Sequence, residues 1–147
     1  MSLITIDTPI GTVFSSKPKC VSWERTWAYA GGPFALEGWP ARNIHTDPAF
    51  ASSVGLAEPN VTGTQTQAFV AAWLIDIFGE QWLSGGKLYD VKFIRPISIK
   101  DTIQVQAEVV SREHDDAAVK YRLTIKCLRG DGEPALVGCA EGWVMMA

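Results

Sequence analysis

Histidine is scarce in this chain of 147 residues: there are two, His45 and His114. Cysteine is scarce too, and Cys20, Cys127 and Cys139 form no C-x-x-C or other metal-ligand spacing. Cys127 and Cys139 sit in apolar, strand-like runs and read as small buried hydrophobes. Basic residues are few and scattered, and the net charge is −3. That excludes the clustered positive footprint of a nucleic-acid binder, although a local basic spot can still meet a phosphate. The longest apolar run, Ala68 to Ile75, is far too short to span a bilayer. The opening MSLITIDTPIG has neither a basic n-region nor a long apolar h-region. It does not read as a signal peptide, so a cytoplasmic protein is expected. There is no GxGxxG, P-loop or GxSxG pattern, and DDAAVK has no metal-site spacing. No cofactor and no metal is implied. The six tryptophans have no interleaved basic residues, so they read as core or interface rather than as stacking platforms for single strands.

What remains is ordinary globular material, 47% apolar and 20% charged, of a length that predicts one domain over residues 1–147. There are no repeats. The front half is irregular. A short strand is expected near Thr12 to Ser15, followed by a helix in CVSWERTWAYAGG. Ser22 suits its N-cap, Glu24 its first turn, and Gly31 and Gly32 its end. GGPFALEGWPARN reads as a loop. DPAFASSVG reads as a short helix with Asp47 as N-cap, Pro48 at the first position and Gly55 at the stop. In TGTQTQAFVAAWLIDIFG every residue from Ala68 to Phe78 is apolar except Asp76. Such a helix is expected to be buried on most sides, and Gly79 closes it.

The back half changes period. Ile103, Val105, Ala107 and Val109 alternate with polar residues, as do Val119, Tyr121, Leu123 and Ile125. Four long β-rich runs are joined at Lys100–Asp101, REHDDA and RGDGEP. These joins read as hairpin turns, so a mostly antiparallel sheet is predicted. One buried helix followed by four such strands is an α+β pattern. A curved sheet wrapped around the helix satisfies it, which is the hot-dog arrangement. Its open edge commonly needs a second subunit, so a dimer is expected.

His45 is the first candidate for chemistry, because imidazole is the usual acid/base near neutral pH. It lies between two loops and directly before a helix cap. Asp47 is the obvious partner by spacing. However, an Asp followed by Pro is better explained as an N-cap, with its carboxylate aimed at helix N–H groups. Asn43 and Arg42 are better placed to share a cavity with His45. Asn43 suits a water or carbonyl, and Arg42 a carboxylate or phosphate. The alternative for both is a loop held by side-chain hydrogen bonds. Thr62 and Gly63 form the second candidate. Free N–H groups and the positive end of a helix dipole suit a thioester oxygen as it becomes an enolate, and Gly63 lets the backbone approach closely. Thr62 can equally be a plain helix cap. His114, in a charged turn, reads as a solvated surface residue.

The segments NIHTDPAFASSVGL, EPNVTGTQ and VKFIRPISIKDTI resemble the MaoC-like hydratase/dehydratase family of hot-dog proteins, over roughly residues 20–112. The His of that family's D-x-N-P-[IL]-H-x-D-P motif falls on His45. Its G-x-x-x-P-x-x-x-G segment falls on Gly55, Pro59 and Gly63, and its F-x-x-P-x-x-x-x-D pattern on Phe93, Pro96 and Asp101. The motif's Asp has no counterpart. Pro40 stands in its place, Arg42 replaces the Asn and Asn43 the Pro. Glu37 and Glu58 are the nearest carboxylates that could substitute.

The resemblance implies an acyl thioester substrate, usually of coenzyme A, and addition or loss of water across its Cα–Cβ bond. His45 would shuttle a proton and the Gly63 N–H would polarise the thioester carbonyl. Arg42, Asn43 and Thr62 would join Gly63 in binding substrate. Coenzyme A would enter only as part of that substrate. A homodimer or higher assembly is implied, with a heterodimer as an alternative. Two other readings stay open: a catalytically degenerate hot-dog subunit that binds acyl-CoA or supports an active partner, and a thioesterase. The second lacks an acid near the helix N-terminus, since Asp76 sits far along the helix.

Overall fold

The computed structural model describes residues 2–31 and 42–146. Residues 32–41 of the expected GGPFALEGWPARN loop, with Gly32, Glu37, Trp39 and Pro40, lie outside those residues.

The elements are β1 (Val13–Ser15), β2 (Lys19–Cys20), α1 (Trp23–Tyr29), α2 (Pro48–Ser53), α3 (Gly63–Phe78), α4 (Trp82–Gly85), β3 (Lys87–Phe93), β4 (Thr102–His114), β5 (Ala118–Arg129) and β6 (Pro134–Met145). The six strands form one antiparallel sheet in the order β1-β4-β5-β6-β3, with β2 also on β4. The protein is thus α+β, with one antiparallel sheet packed on a long helix.

Local chemistry forms the helices as expected. Ser22 caps α1 by accepting from the Arg25 N–H at 3.3 Å, and Gly31 follows with φ of 91°. The central helix α3 starts at Thr62, whose hydroxyl accepts from the Gln65 N–H at 3.1 Å. It ends at Gly79, where φ of 88° favours glycine.

The alternation in β4 and β5 turns Ile103, Val105, Ala107, Val109, Tyr121, Leu123 and Ile125 into the core. There they meet Val70, Leu74, Ile77 and Phe78 of α3. Cys127 is sealed in the same core, and burial pushes its thiol up to about 11. Cys139 is only half-buried. No described tryptophan is sealed: Trp73 and Trp82 pack at the core's edge, while Trp27 and Trp143 are exposed.

Two expectations are corrected. First, the join at Lys100–Asp101 is not a hairpin. β3 pairs with β6, and the chain crosses to the far side of the sheet before β4 begins. Pro96 cannot donate to a ladder, and the crossing segment finds other partners. The Ile97 C=O accepts from the Val61 N–H at 2.7 Å and the Ile99 N–H donates to the Pro59 C=O at 3.0 Å. Second, α3 is not covered all round in the single chain. Ala72 and Asp76 are exposed, and Phe69, Trp73 and Ile75 are half-buried. The N-terminus, for which the sequence set no expectation, is an ordered strap. The Ile4 N–H donates to the Ile77 C=O at 3.0 Å, and the buried Tyr121 hydroxyl donates to the Thr5 C=O at 2.8 Å.

Candidate active site

The crossing segment matters because it runs beside the start of α3. The segment ahead of that helix is pinned to it, with Asn60 bridged to Ser98. On its other side it holds the histidine loop, because the Asn60 N–H donates to the Ile44 C=O at 2.9 Å. Two loops far apart in sequence are thereby fixed against each other.

Asn43 shapes the histidine loop from within. Its carboxamide oxygen accepts from the backbone N–H groups of His45, at 2.8 Å, and Thr46, at 3.1 Å. Its backbone C=O accepts from Asp47 N–H at 3.1 Å. Asp47 then caps α2, accepting from Ala49 N–H at 2.8 Å and Phe50 N–H at 3.1 Å. Its other oxygen pairs with the exposed Arg42 at 3.2 Å.

This packing orients His45. Its Nδ1 stands 2.7 Å from the Asn60 C=O. A carbonyl has no hydrogen to give, so Nδ1 must carry one. The neutral ring then keeps its lone pair on Nε2, which makes no hydrogen bond among the described residues. The contact orients the ring so that Nδ1 faces the Asn60 carbonyl and Nε2 is turned from it.

A cleft of about 290 Å³ opens here. His45, Asn60, Gly63, Thr66, Phe93 and Arg95 are among its lining residues, with apolar walls from Ile44, Val61, Ile94 and Pro96. Thr62 takes the Gln65 N–H, and the N–H groups of Gly63 and Thr64 have no acceptor among the described residues. The positive end of a helix of 16 residues thus meets the cleft at Gly63. Phe93 lies over that glycine: a Cβ there would stand 3.1 Å from the ring's Cζ. Arg95 is anchored at the cleft by Pro134 C=O at 3.0 Å and Glu133 at 3.1 Å.

The structure brings His45 and Gly63 to one cleft. It leaves Arg42, Asn43 and Thr62 off its lining, occupied respectively with an ion pair, a loop and a helix cap. Glu58 also lies off it, 3.5 Å from Lys100. Among the described residues no Asp or Glu lines the cleft. Asp76 belongs to a separate cavity of about 220 Å³ on the helix flank, with Lys19, Phe69 and Trp73. No described group of three His, Cys, Asp or Glu could hold a metal ion. Sequence reading passed over Asn60, Thr66 and Arg95. Thr66 lies one helical turn after Thr62, which marked it for the same end of the helix. Asn60 looked like an ordinary loop residue, since asparagine favours turns for local reasons.

Comparison with known proteins agrees with this architecture. The MaoC-like dehydratase of Rhodospirillum rubrum superposes with a TM-score of 0.75 at 18% identity, over 96% of this chain and 95% of that one. The (R)-hydratase from A. caviae involved in PHA biosynthesis superposes at 0.69 and 20% identity, over 95% and 98%. A C-terminally truncated HadBC complex, a 3R-hydroxyacyl-ACP dehydratase from Mycobacterium tuberculosis, superposes at 0.64 and 14% identity, over 91% and 96%. At these identities the likeness is one of fold. A 77-residue stretch is also 32% identical to the protein transport protein SEC13 homolog A of Arabidopsis thaliana, over 50% of this chain. The chain spans only 25% of that curated relative's length. The MaoC like domain matches residues 18–128, which take in the histidine loop, the central helix and strands β3 to β5. This chain belongs to the MaoC-like domain family of hydratases and dehydratases, with the hot-dog fold.

Proposed function

We propose that the protein is an enoyl-CoA-type hydratase/dehydratase, a lyase acting on an acyl thioester. The observation that carries the reading is His45, with Nδ1 held by the Asn60 carbonyl, lining the same cleft as the Gly63 N–H, which has no acceptor among the described residues. In the hydration direction Nε2 removes a proton from water as the oxygen attacks Cβ. The electrons move to the thioester oxygen, where the Gly63 N–H supports the negative charge. The imidazolium then returns the proton to Cα, giving a 3-hydroxyacyl thioester. Dehydration is the reverse. No further cofactor is needed, because coenzyme A arrives as part of the substrate.

With Pro40 where the family motif has Asp, His45 acts as both base and acid. Asn43 and Thr62 serve substrate binding indirectly, by fixing the histidine loop and the start of α3. Arg42 is a surface cation paired with Asp47, and a phosphate of the coenzyme would have to compete with that pair. The half-buried flank of α3 fits a dimer or higher hot-dog assembly, of like or unlike subunits. Among the described residues no helix is long and apolar enough to cross a membrane, and a cytoplasmic site of action fits that.

A second reading has its own support. A cleft lined by no described carboxylate also fits a subunit that binds acyl-CoA beside an active partner. The test of both is loss of enoyl absorbance over a panel of short, long, branched and carboxylated enoyl-CoA thioesters. Turnover by the parent and not by His45→Ala supports the hydratase. A folded parent inert on every thioester, and co-purifying with a second hot-dog protein, supports the partner subunit. Release of free coenzyme A would instead indicate a thioesterase.

A further inference from the structure

Asn60 is 8% exposed and lines the cleft, yet its carboxamide makes no hydrogen bond among the described residues. Neither of its side-chain polar atoms is fully sealed from solvent. The cleft is the opening through which that carboxamide can find a partner. Its backbone is fully engaged: the N–H donates to Ile44 and the C=O accepts from His45 Nδ1. We propose that Asn60 holds the attacking water.

This inference rests on the hydratase reading. The family motif supplies a carboxylate near its histidine, and this cleft shows none among its described lining residues. A water bound to His45 Nε2 points one hydrogen at the ring and needs an acceptor for the other. The Asn60 Oδ1 supplies it. An amide can orient water but cannot take its proton, so the proton travels through His45 alone. The proton leaves water for Nε2, the hydroxyl bonds to Cβ, and the same proton passes to Cα. One residue thereby sets both members of the reacting pair, the imidazole through its carbonyl and the water through its side chain.

The experiment is steady-state hydration of crotonyl-CoA by the parent, Asn60→Leu and Asn60→Asp, with thermal melts of each. Leucine keeps the bulk and the backbone bonds but cannot hold water. It is expected to lower kcat by about 100-fold with KM changed less than about threefold, a loss typical of one positioned polar group. Aspartate keeps the acceptor and adds a base. It is expected to retain at least about tenfold more kcat than leucine and to add an ionisation to the rate–pH profile. A fall in both variants that tracks a fall in melting temperature overturns the proposal, because a merely structural role predicts it. So does a leucine variant within about twofold of the parent; turnover by the parent in that case leaves the hydratase reading standing. A parent inert on crotonyl-CoA and on the wider enoyl panel overturns both.

Discussion

Two polar clusters lie on opposite faces of the sheet, and they are built on opposite rules. On the face turned away from α3, Glu141 is 8% exposed and every neighbour satisfies it. Lys120 Nζ pairs with it at 3.0 Å, Arg122 at 3.2 Å, and the Tyr89 hydroxyl donates to it at 3.2 Å. The hydrogen bond from Lys120 is the largest cause holding its carboxyl below the usual carboxylate range, against an opposing effect of burial. In the cleft the pattern reverses. His45 Nε2, the Gly63 N–H and the Asn60 carboxamide all stand without partners among the described residues. A satisfied cluster is complete and contributes to stability. An unsatisfied one is stable only because its surroundings hold it, and it presents groups for a ligand to satisfy. The contrast predicts that changes in the cleft alter turnover without altering melting, and that changes at the sheet alter melting without altering turnover.

The largest expected effect is at His45. His45→Ala should lower turnover at least about 1000-fold, because the proposed mechanism carries its proton on that ring. The loop is held by backbone bonds from Asn43 and Ile44, so thermal melting should stay within about 2 °C. Next comes Gly142, which faces the core on β6. A Cβ there would stand 2.7 Å from three atoms of the sealed Phe78 ring. Gly142→Ala should cost about 2 kcal/mol by overpacking, read from urea denaturation, with kcat unchanged. A stable Gly142→Ala with altered kcat would break the division.

Glu141→Gln should cost about 1 kcal/mol at neutral pH, since both of its cationic partners, Lys120 and Arg122, are partly solvated. The sign of its pH dependence follows from the lowered carboxyl. Its contribution is full above the unfolded-state value and is lost as pH falls through the lower folded value. Acid unfolding curves of parent and variant should therefore converge at low pH; a gap that persists there would remove the carboxylate from the account. The smallest effect is at Asp47, where alanine should cost about 1 kcal/mol or less through the lost N-cap, with turnover nearly kept. Loss of turnover without a change in melting would show that Asp47 serves the site and not only the helix.

Much of the molecule was legible from short-range chemistry. The caps at Ser22, Asp47 and Thr62, the glycine stops and the alternation of β4 and β5 all depend on residues within a few positions of each other, so their pattern survives in sequence. The turns 115–117 and 130–133 close hairpins for the same reason. The join at Lys100–Asp101 carried the same local signal and misled. A turn's residues fix the bend of the chain but not which strand it returns to.

Determined by the sequence alone were the class α+β, the helix that opens at Gly63, and His45 as the residue to watch. Left to the tertiary structure were the pairing of β3 with β6, the N-terminal strap and the setting of the site. The His45 ring takes its fixed orientation only because a carbonyl 15 residues away lies 2.7 Å from Nδ1. That distance is fixed in turn by the bridge between Asn60 and Ser98. Hydrogen bonds of that reach depend on how loops pack against one another, and no local propensity encodes them.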